Sequence, residues 1–327
     1  MHTRIKYPIA AAIVAALGQA APASATASAT AARPADRPVT AYVLQTPPCM
    51  SNTVSVINTA TNTALKPITV GIGTSAIAVT PNGKTVYVSS GASIVNGMVC
   101  GSGGPQTAAS TVTPISTATN KPGKPINAGK DLTGIAITPD GKTAYVVSTS
   151  SATVTPIRTA TNTALKPIKI GKPPAGYEFP DQIAITPNGR TAYVSTTAGV
   201  VPIRTATNTA LKLIKVGNGQ PAQPGPSPIA ITPNGKTAYV VNLIAGTVTP
   251  ISTAANAPGR PVAVKSSPGV MLDGIGIAPD GRTAFILNEV FEPASFPGTV
   301  IPFRTATNTQ GKPITVGSAP SAIVFAR

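Results

Sequence analysis

An all-β chain built from one repeated four-stranded unit is what this sequence predicts, and three observations predict it. First, a Pro-Asn-Gly or Pro-Asp-Gly turn recurs with its glycine at 83, 141, 189, 235 and 281. A block ending in asparagine recurs at Asn62, Asn120, Asn162, Asn208, Asn256 and Asn308, at intervals of 58, 42, 46, 48 and 52 residues. A period of that size holds several short strands per copy. Second, Val, Ile and Thr fill the runs between turns, while 30 Gly and 35 Pro gather mostly at the turns; strands favour the first group and are interrupted by the second. Third, no long helical periodicity follows the N-terminus. The expected fold is a single β-propeller over 39–327, with six blades by repeat count and seven as the alternative. Each copy alone cannot bury both its faces; a ring of copies can, and leaves only short protected edges.

The first strand of each copy alternates large and small side chains: Ile77-Ala-Val79, Ile135-Ala-Ile137, Ile183-Ala-Ile185, Ile229-Ala-Ile231 and Ile275-Gly-Ile277. Successive side chains point to opposite faces, so one face is bulky, the other is small, and neighbouring sheets can interlock. The turn follows. Pro presets φ, Asn or Asp tolerates the left-handed region, and Gly supplies positive φ. The second strand carries an aromatic at one phase: Tyr42, Tyr87, Tyr145, Tyr193, Tyr239 and Phe285. An aromatic stripe of this kind can bind ligands, but packing between blades is the favoured reading.

The third strand reads Thr-Val-Thr-Pro-Ile in most copies, with Pro114, Pro156, Pro202, Pro250 and Pro302 inside it. Proline cannot donate to a ladder, so a locally broken ladder is expected there, and normal pairing is expected in the first copy, which has Val56. Thr-Ala-Thr-Asn makes the next turn, with Asn as its left-handed residue. A short outer strand such as Lys66-Pro-Ile-Thr-Val70 suits an exposed edge. The chain after its leader begins at a second strand, Ala41-Tyr-Val-Leu44, and finishes with a first strand, Ser321-Ala-Ile-Val-Phe-Ala326. Pairing the two would close the ring between the N- and C-terminal strands.

The units resemble the YVTN-type β-propeller repeats of secreted and cell-surface prokaryotic proteins. Pro-Asn-Gly-Lys-Thr-Ala-Tyr-Val-Val-Asn at 233–242 and Thr-Val-Ser-Val-Ile-Asn-Thr-Ala-Thr-Asn at 53–62 carry the likeness, which spans about 41–327. It implies the fold strongly and an activity weakly, because the repeat is a structural unit. Family members often have seven blades. They often place Asp before Thr-Ala-Thr, where this chain has Asn58, Ser116, Arg158, Arg204, Ser252 or Arg304. Some propellers of similar repeat type are lactonases, lyases or quinone-dependent dehydrogenases.

Residues 1–25 read as a secretory signal peptide. Arg4 and Lys6 form a basic start, Ile9 to Leu17 is a short apolar stretch, and Ala23-Ser-Ala25 offers a cleavage site, with Ala27-Ser-Ala29 as a rival. An uncleaved anchor is the alternative, although the apolar run is shorter than a membrane span needs. Residues 26–38, rich in Ala, Thr, Ser and Pro, read as a flexible leader. The expected location is therefore secreted, extracellular or associated with the cell envelope. No membrane span is expected, and a monomer is.

The only histidine is His2 and there is no tryptophan. Removal of the signal leaves no histidine, which excludes Ser-His-Asp and Cys-His catalysis and His-ligated metals. No catalytic residue and no metal site are assigned. Cys49 and Cys100, the only cysteines, fall in neighbouring second-to-third loops. In an exported protein the pair suggests a disulfide, for which Cα atoms within about 7 Å are required; two free thiols are the alternative.

Antiparallel order places the short turns on one face and the long insertions on the other: 47–52, 91–110, 172–181, 217–227, 265–273 and 289–298. Variable loops on a rigid scaffold are the usual place for binding, so the main reading is a non-enzymatic binding or scaffold module that presents this face to a protein or glycan. Glu178, Asp181, Asp273, Glu289 and Glu292 are its candidate binding residues. Such acids are also the kind that hold calcium, which needs roughly six to eight oxygen ligands. No calcium motif occurs, ordinary solubility explains the acids better, and no cofactor is expected. Their convergence at the central channel would instead favour a carboxylate- or metal-dependent hydrolase, the alternative reading.

Lys84, Lys142, Arg190, Lys236 and Arg282 follow the turns on the opposite face. After removal of residues 1–25 the chain holds 23 basic and 9 acidic residues, net +14. A basic face attracts anionic polymers of the envelope; a merely solvated surface is the plainer reading. Nucleic acid is not expected as a partner, because stacking aromatics do not interleave with the basic residues.

Overall fold

The computed structural model describes residues 13–14, 40–44, 52–91, 94–95, 98–99, 110–171, 180–216, 228–243, 245–264, 270–290, 298–316 and 323. Among the described residues there is no helix, and six antiparallel sheets follow one another along the chain, together with a small hairpin, Ile94–Val95 with Met98–Val99. Sheet three shows the pattern: Leu132–Ile137, Thr143–Ser148, Thr153–Arg158, then an outer strand in two pieces, Thr163–Ala164 and Ile168–Lys169. The first strands of successive sheets touch one another from sheet one to sheet six. Turn chemistry holds as read. The six block-ending asparagines sit at φ 50–53°, and the five turn glycines at φ 67–72°.

The core is divided among the junctions between sheets. Each of five apolar clusters joins one sheet to the next. The alternation of the first strands explains the fit. Ile135 and Ile137 pack into the cluster shared with sheet two, while Ala136 faces the cluster shared with sheet four. Tyr42, Tyr87, Tyr145, Tyr193 and Tyr239 are buried at these junctions, none more than 4% exposed.

The tyrosines do more than fill space. Each hydroxyl donates to the Oδ1 of the left-handed asparagine of the following sheet: Tyr42 to Asn120 (2.5 Å), Tyr87 to Asn162 (2.6 Å), Tyr145 to Asn208 (2.6 Å), Tyr193 to Asn256 (2.6 Å) and Tyr239 to Asn308 (2.9 Å). A buried phenol needs a partner for its O–H. The asparagine can present its amide oxygen because the left-handed backbone turns its side chain inward from the block. One residue type thus shapes the turn and fastens the next sheet.

The expected broken ladder at the prolines is present, on one side of the strand only. The ladder between second and third strands runs unbroken through the proline, as in Tyr145↔Pro156 and Tyr239↔Pro250. The break lies on the other side. Each proline carbonyl accepts from the outer strand: Gly123 N–H to Pro114, Leu165 to Pro156, Leu211 to Pro202, Gly259 to Pro250 and Gly311 to Pro302, all at 2.7–2.8 Å. A residue's N–H and C=O point to the same side of a strand, so the missing donor faces outward and splits the outer strand. Sheet one, with Val56, keeps a continuous outer strand, Thr63–Thr69, with one bulge.

The inner edge of Thr40–Leu44, which the sequence assigns to 321–326, carries Ile13–Val14 instead, in the register Ile13↔Val43 and Val14↔Tyr42. This is the register of Ile77↔Val88 and Ala78↔Tyr87 in sheet two. Ala12-Ile-Val14 has the same residues as Ala322-Ile-Val324. Of 321–326, only Ile323 is among the described residues. No helix of the described residues is long and apolar enough to cross a membrane.

Candidate functional site

The end of the molecule that carries the short turns is built as one piece. In each of sheets two to six, a threonine of the Thr-Ala-Thr-Asn or equivalent turn donates to the glycine carbonyl of the Pro-Asn/Asp-Gly turn: Thr117 to Gly83, Thr159 to Gly141, Thr205 to Gly189, Thr253 to Gly235 and Thr305 to Gly281, at 2.5–2.7 Å. Both turns of a sheet therefore lie on one face, as read from the strand order. Turns of neighbouring sheets also abut. A Cβ on Gly189 would lie 3.3 Å from Pro139, one on Gly235 3.3 Å from Pro187, and one on Gly281 3.2 Å from Pro233.

The basic candidates ride on these locked turns. Lys84, Lys142, Arg190, Lys236 and Arg282 are all exposed. Their own N–H groups donate to the turn side chains Asn82, Asp140, Asn188, Asn234 and Asp280, at 2.9–3.0 Å. The backbone of each cation is fixed while its side chain reaches into solvent. Arg158, Arg204 and Arg304 stand beside them, paired across the ladder with Thr143, Thr191 and Thr283 and also exposed. Among the described residues one ion pair exists, Lys142–Asp140 at 3.8 Å, with both side chains more than half exposed. Such a pair contributes little. The Thr138 hydroxyl, then the Lys142 N–H, hold the Asp140 carboxyl below its usual range. The face therefore carries a row of exposed cations that outnumber the two carboxylates on the same turns, Asp140 and Asp280.

The acidic candidates are distributed differently. Asp181 lies on the first strand of sheet four, Pro180–Ile185, and its carbonyl accepts from the Thr133 hydroxyl of sheet three at 3.0 Å. That close approach explains Gly134, where a Cβ would stand 2.6 Å from the same carbonyl. Asp273 lies in Val270–Ile277 and Glu289 in Thr283–Val290, adjacent strands of sheet six; Met271 is the residue opposite Glu289. The described structure thus places Asp181 two sheets away from Asp273 and Glu289. Among the described residues no group of three His, Cys, Asp or Glu forms a metal site. Asp131, left-handed at φ 49°, takes a hydrogen bond from Ser150, and desolvation pushes its carboxyl up despite the nearby Lys130. Glu178, Glu292, Cys49 and Cys100, with most of the long insertions, lie outside the described residues.

Two features escaped the sequence reading: the Tyr–Asn bonds between sheets and the Thr–Gly bonds between turns. Both left a signal, since tyrosine, asparagine and turn threonine each recur once per copy. What the signal lacked was which copy each partner belongs to.

The chain matches no family model and no curated protein. Among solved structures it is similar to Kuenenia stuttgartiensis hydrazine synthase, at 21% identity and TM-score 0.56 over 74% of this chain and 65% of that one. It is also similar to a functionally unknown protein from Desulfotomaculum acetoxidans DSM 771, at 21% identity and TM-score 0.58 over 81% and 77%. A third is the periplasmic gluconolactonase of Pseudomonas aeruginosa, at 14% identity and TM-score 0.59 over 82% and 80%. At these identities the likeness shows a propeller-like fold alone.

Proposed function

We propose that the chain is an exported, non-enzymatic binding module that holds an anionic polymer of the cell envelope on its turn face. The opposite end, where the long insertions leave the sheets, serves a protein or glycan partner. The scaffold is a ring of six sheets of the YVTN repeat type. It closes when Ser321–Ala326 takes the inner edge of Thr40–Leu44 once residues 1–25 are gone. One observation carries the functional reading: five exposed cations stand on turns locked within and between sheets, with one weak ion pair among them. Cations held this way form a multivalent surface whose backbone is ordered before binding, and they outnumber Asp140 and Asp280 on the same turns.

The test uses residues 26–327 and immobilised dextran sulfate, with neutral dextran as control. Retention on the sulfated polymer is expected at low salt and is expected to fall steeply as ionic strength rises above about 0.15 M, where the screening length drops below about 8 Å. The triple variant Lys84→Glu, Lys236→Glu, Arg282→Glu is expected to bind at least about tenfold more weakly, since each substitution turns an attraction into a repulsion. Equal retention of the variant, or retention by neutral dextran, would overturn the reading.

A second reading is favoured by the likeness to a gluconolactonase: hydrolysis of a lactone or similar ester by Asp181, Asp273 or Glu289 at the central channel. Turnover of a panel of sugar lactones that disappears in Asp181→Asn would support it and would displace the non-enzymatic reading.

A further inference from the structure

The five described junctions share one construction, and the two ends of the row of sheets show what a sixth would need. On the outgoing face of each sheet stand an aromatic of the second strand, a valine of the third and an apolar residue of the outer strand. In sheets one to four the outer residue is Ile68, Ile126, Ile168 or Ile214, at 5–8% exposure. In sheet six its counterpart Ile314 is 49% exposed, and Phe285 and Val300 are only half-buried. On the incoming face, Ile115, Ile157, Ile203, Ile251 and Phe303 are fully buried, while their counterpart Ile57 in sheet one is half-buried. Two apolar faces of matching pattern are left at the two ends of the row.

The polar part of the junction matches as well, except for one atom. Asn62 holds the same left-handed backbone, φ 53°, as the five asparagines that accept from tyrosine. No tyrosine hydroxyl among the described residues reaches it, since the five described tyrosines each serve another asparagine. The residue that the repeat aligns with those tyrosines is Phe285, which has the ring without the O–H. Its backbone register is that of the tyrosines: Phe285 pairs with Pro302 and Gly276 as Tyr239 pairs with Pro250 and Ala230.

We propose that the end face of sheet six and the end face of sheet one are the two halves of one interface, and that this interface is the ring's designated opening point, because among the described residues it alone lacks the tyrosine–asparagine bond. Continuity with five like junctions identifies the occupant of each face as the other. A second copy of the chain is the competing occupant. The seam also coincides with the edge at which Ile13–Val14 and 322–324 carry the same residues, so closure and opening concern one place in the molecule. This inference rests on the ring described above. Failure of the ring itself would appear as indifference to loss of 321–327. Failure of the seam alone would appear only in the variants below.

Phe285→Tyr supplies the missing hydroxyl. A buried hydrogen bond gained without loss elsewhere is expected to raise the Tm by about 1–2 °C in a chain of this size. Adding Asn62→Gly, which tolerates the left-handed backbone at φ 53° without a Cβ clash, is expected to erase that gain. In the otherwise unchanged chain, Asn62→Gly is expected to leave the Tm nearly where it is, whereas Asn162→Gly and Asn208→Gly lower it, because those two also lose a tyrosine partner. No gain from Phe285→Tyr, a gain that survives Asn62→Gly, or a loss from Asn62→Gly alone equal to that from Asn162→Gly would each overturn the proposal. Sedimentation of the variant as a concentration-dependent dimer, with the gain growing with concentration, would assign the faces to a second copy and overturn it too. The Asn62→Gly comparison needs no stabilised variant, so it decides the matter even if Phe285→Tyr folds poorly.

Discussion

Tyr193→Ala is expected to destabilise the protein by about 4 kcal/mol, read as a Tm lower by about 6 °C, and to do so from a position remote from either binding face. Tyr193 is fully buried in the cluster that joins sheets four and five, packed with Val200, Ile214, Ala238, Val240 and Ile251. Those neighbours belong to rigid strands and cannot collapse into the space, so the cavity persists. Tyr193→Phe separates packing from bonding. It keeps the ring, removes the 2.6 Å bond to Asn256 and leaves a buried acceptor unpaired, for about 1–2 kcal/mol. The pH profile gives a second readout. Burial pushes the Tyr193 hydroxyl up from 10.0 to about 12, as it does for Tyr87 and Tyr145. The folded state keeps a phenol proton that the unfolded chain releases above pH 10. Stability from this source is therefore complete below pH 10 and is lost as the pH rises toward 12. Tyr193→Phe has one such group fewer, so its stability should fall less steeply across that window. An identical alkaline slope would show that the hydroxyl is not held as described.

Deleting 321–327 from a chain that starts at residue 26 should lower the Tm by about 10 °C or more and expose the chain to protease near residue 40. With neither residues 1–25 nor the C-terminal strand present, Tyr42, Val43 and Leu44 lose the strand beside them. Leu44 and Tyr42 are core members of the cluster joining sheets one and two, so fraying there spreads inward. In the chain that keeps residues 1–25, the same deletion should cost less, because Ile13–Val14 already holds that edge. Equal, small effects in both chains would show that 321–326 does not take this edge, and would remove closure from the account.

Much of this was legible before any coordinates. Gly83 and its equivalents, and Asn62 and its equivalents, could be placed because positive φ restricts the residue types able to stand there. The alternation of Ile135, Ala136 and Ile137 could be turned into packing because a strand has two faces. The side on which Pro156 breaks its ladder was not legible. Sequence shows that a donor is missing but not toward which neighbour it would have pointed. The partner of Tyr42 was not legible either, because Asn120 lies 78 residues away. Nothing local to either residue encodes that distance; only the order of sheets along the row does. The acidic candidates were hardest of all. Asp181, Asp273 and Glu289 occur once each rather than once per copy, so no period relates them, and only a three-dimensional arrangement says that the first stands two sheets from the others.

The tyrosine–asparagine bonds all run the same way, from each sheet to its successor. Sheets two to five each carry both a plug for the next sheet and a socket for the one before. Such parts are interchangeable: a duplicated stretch of one repeat length would arrive already equipped to join its neighbours, with no compensating substitution. The number of sheets is then not set by side-chain specificity at any one described junction. A chain of this kind that gained or lost a unit from the middle of the row would still present a matching partner at every junction that remained.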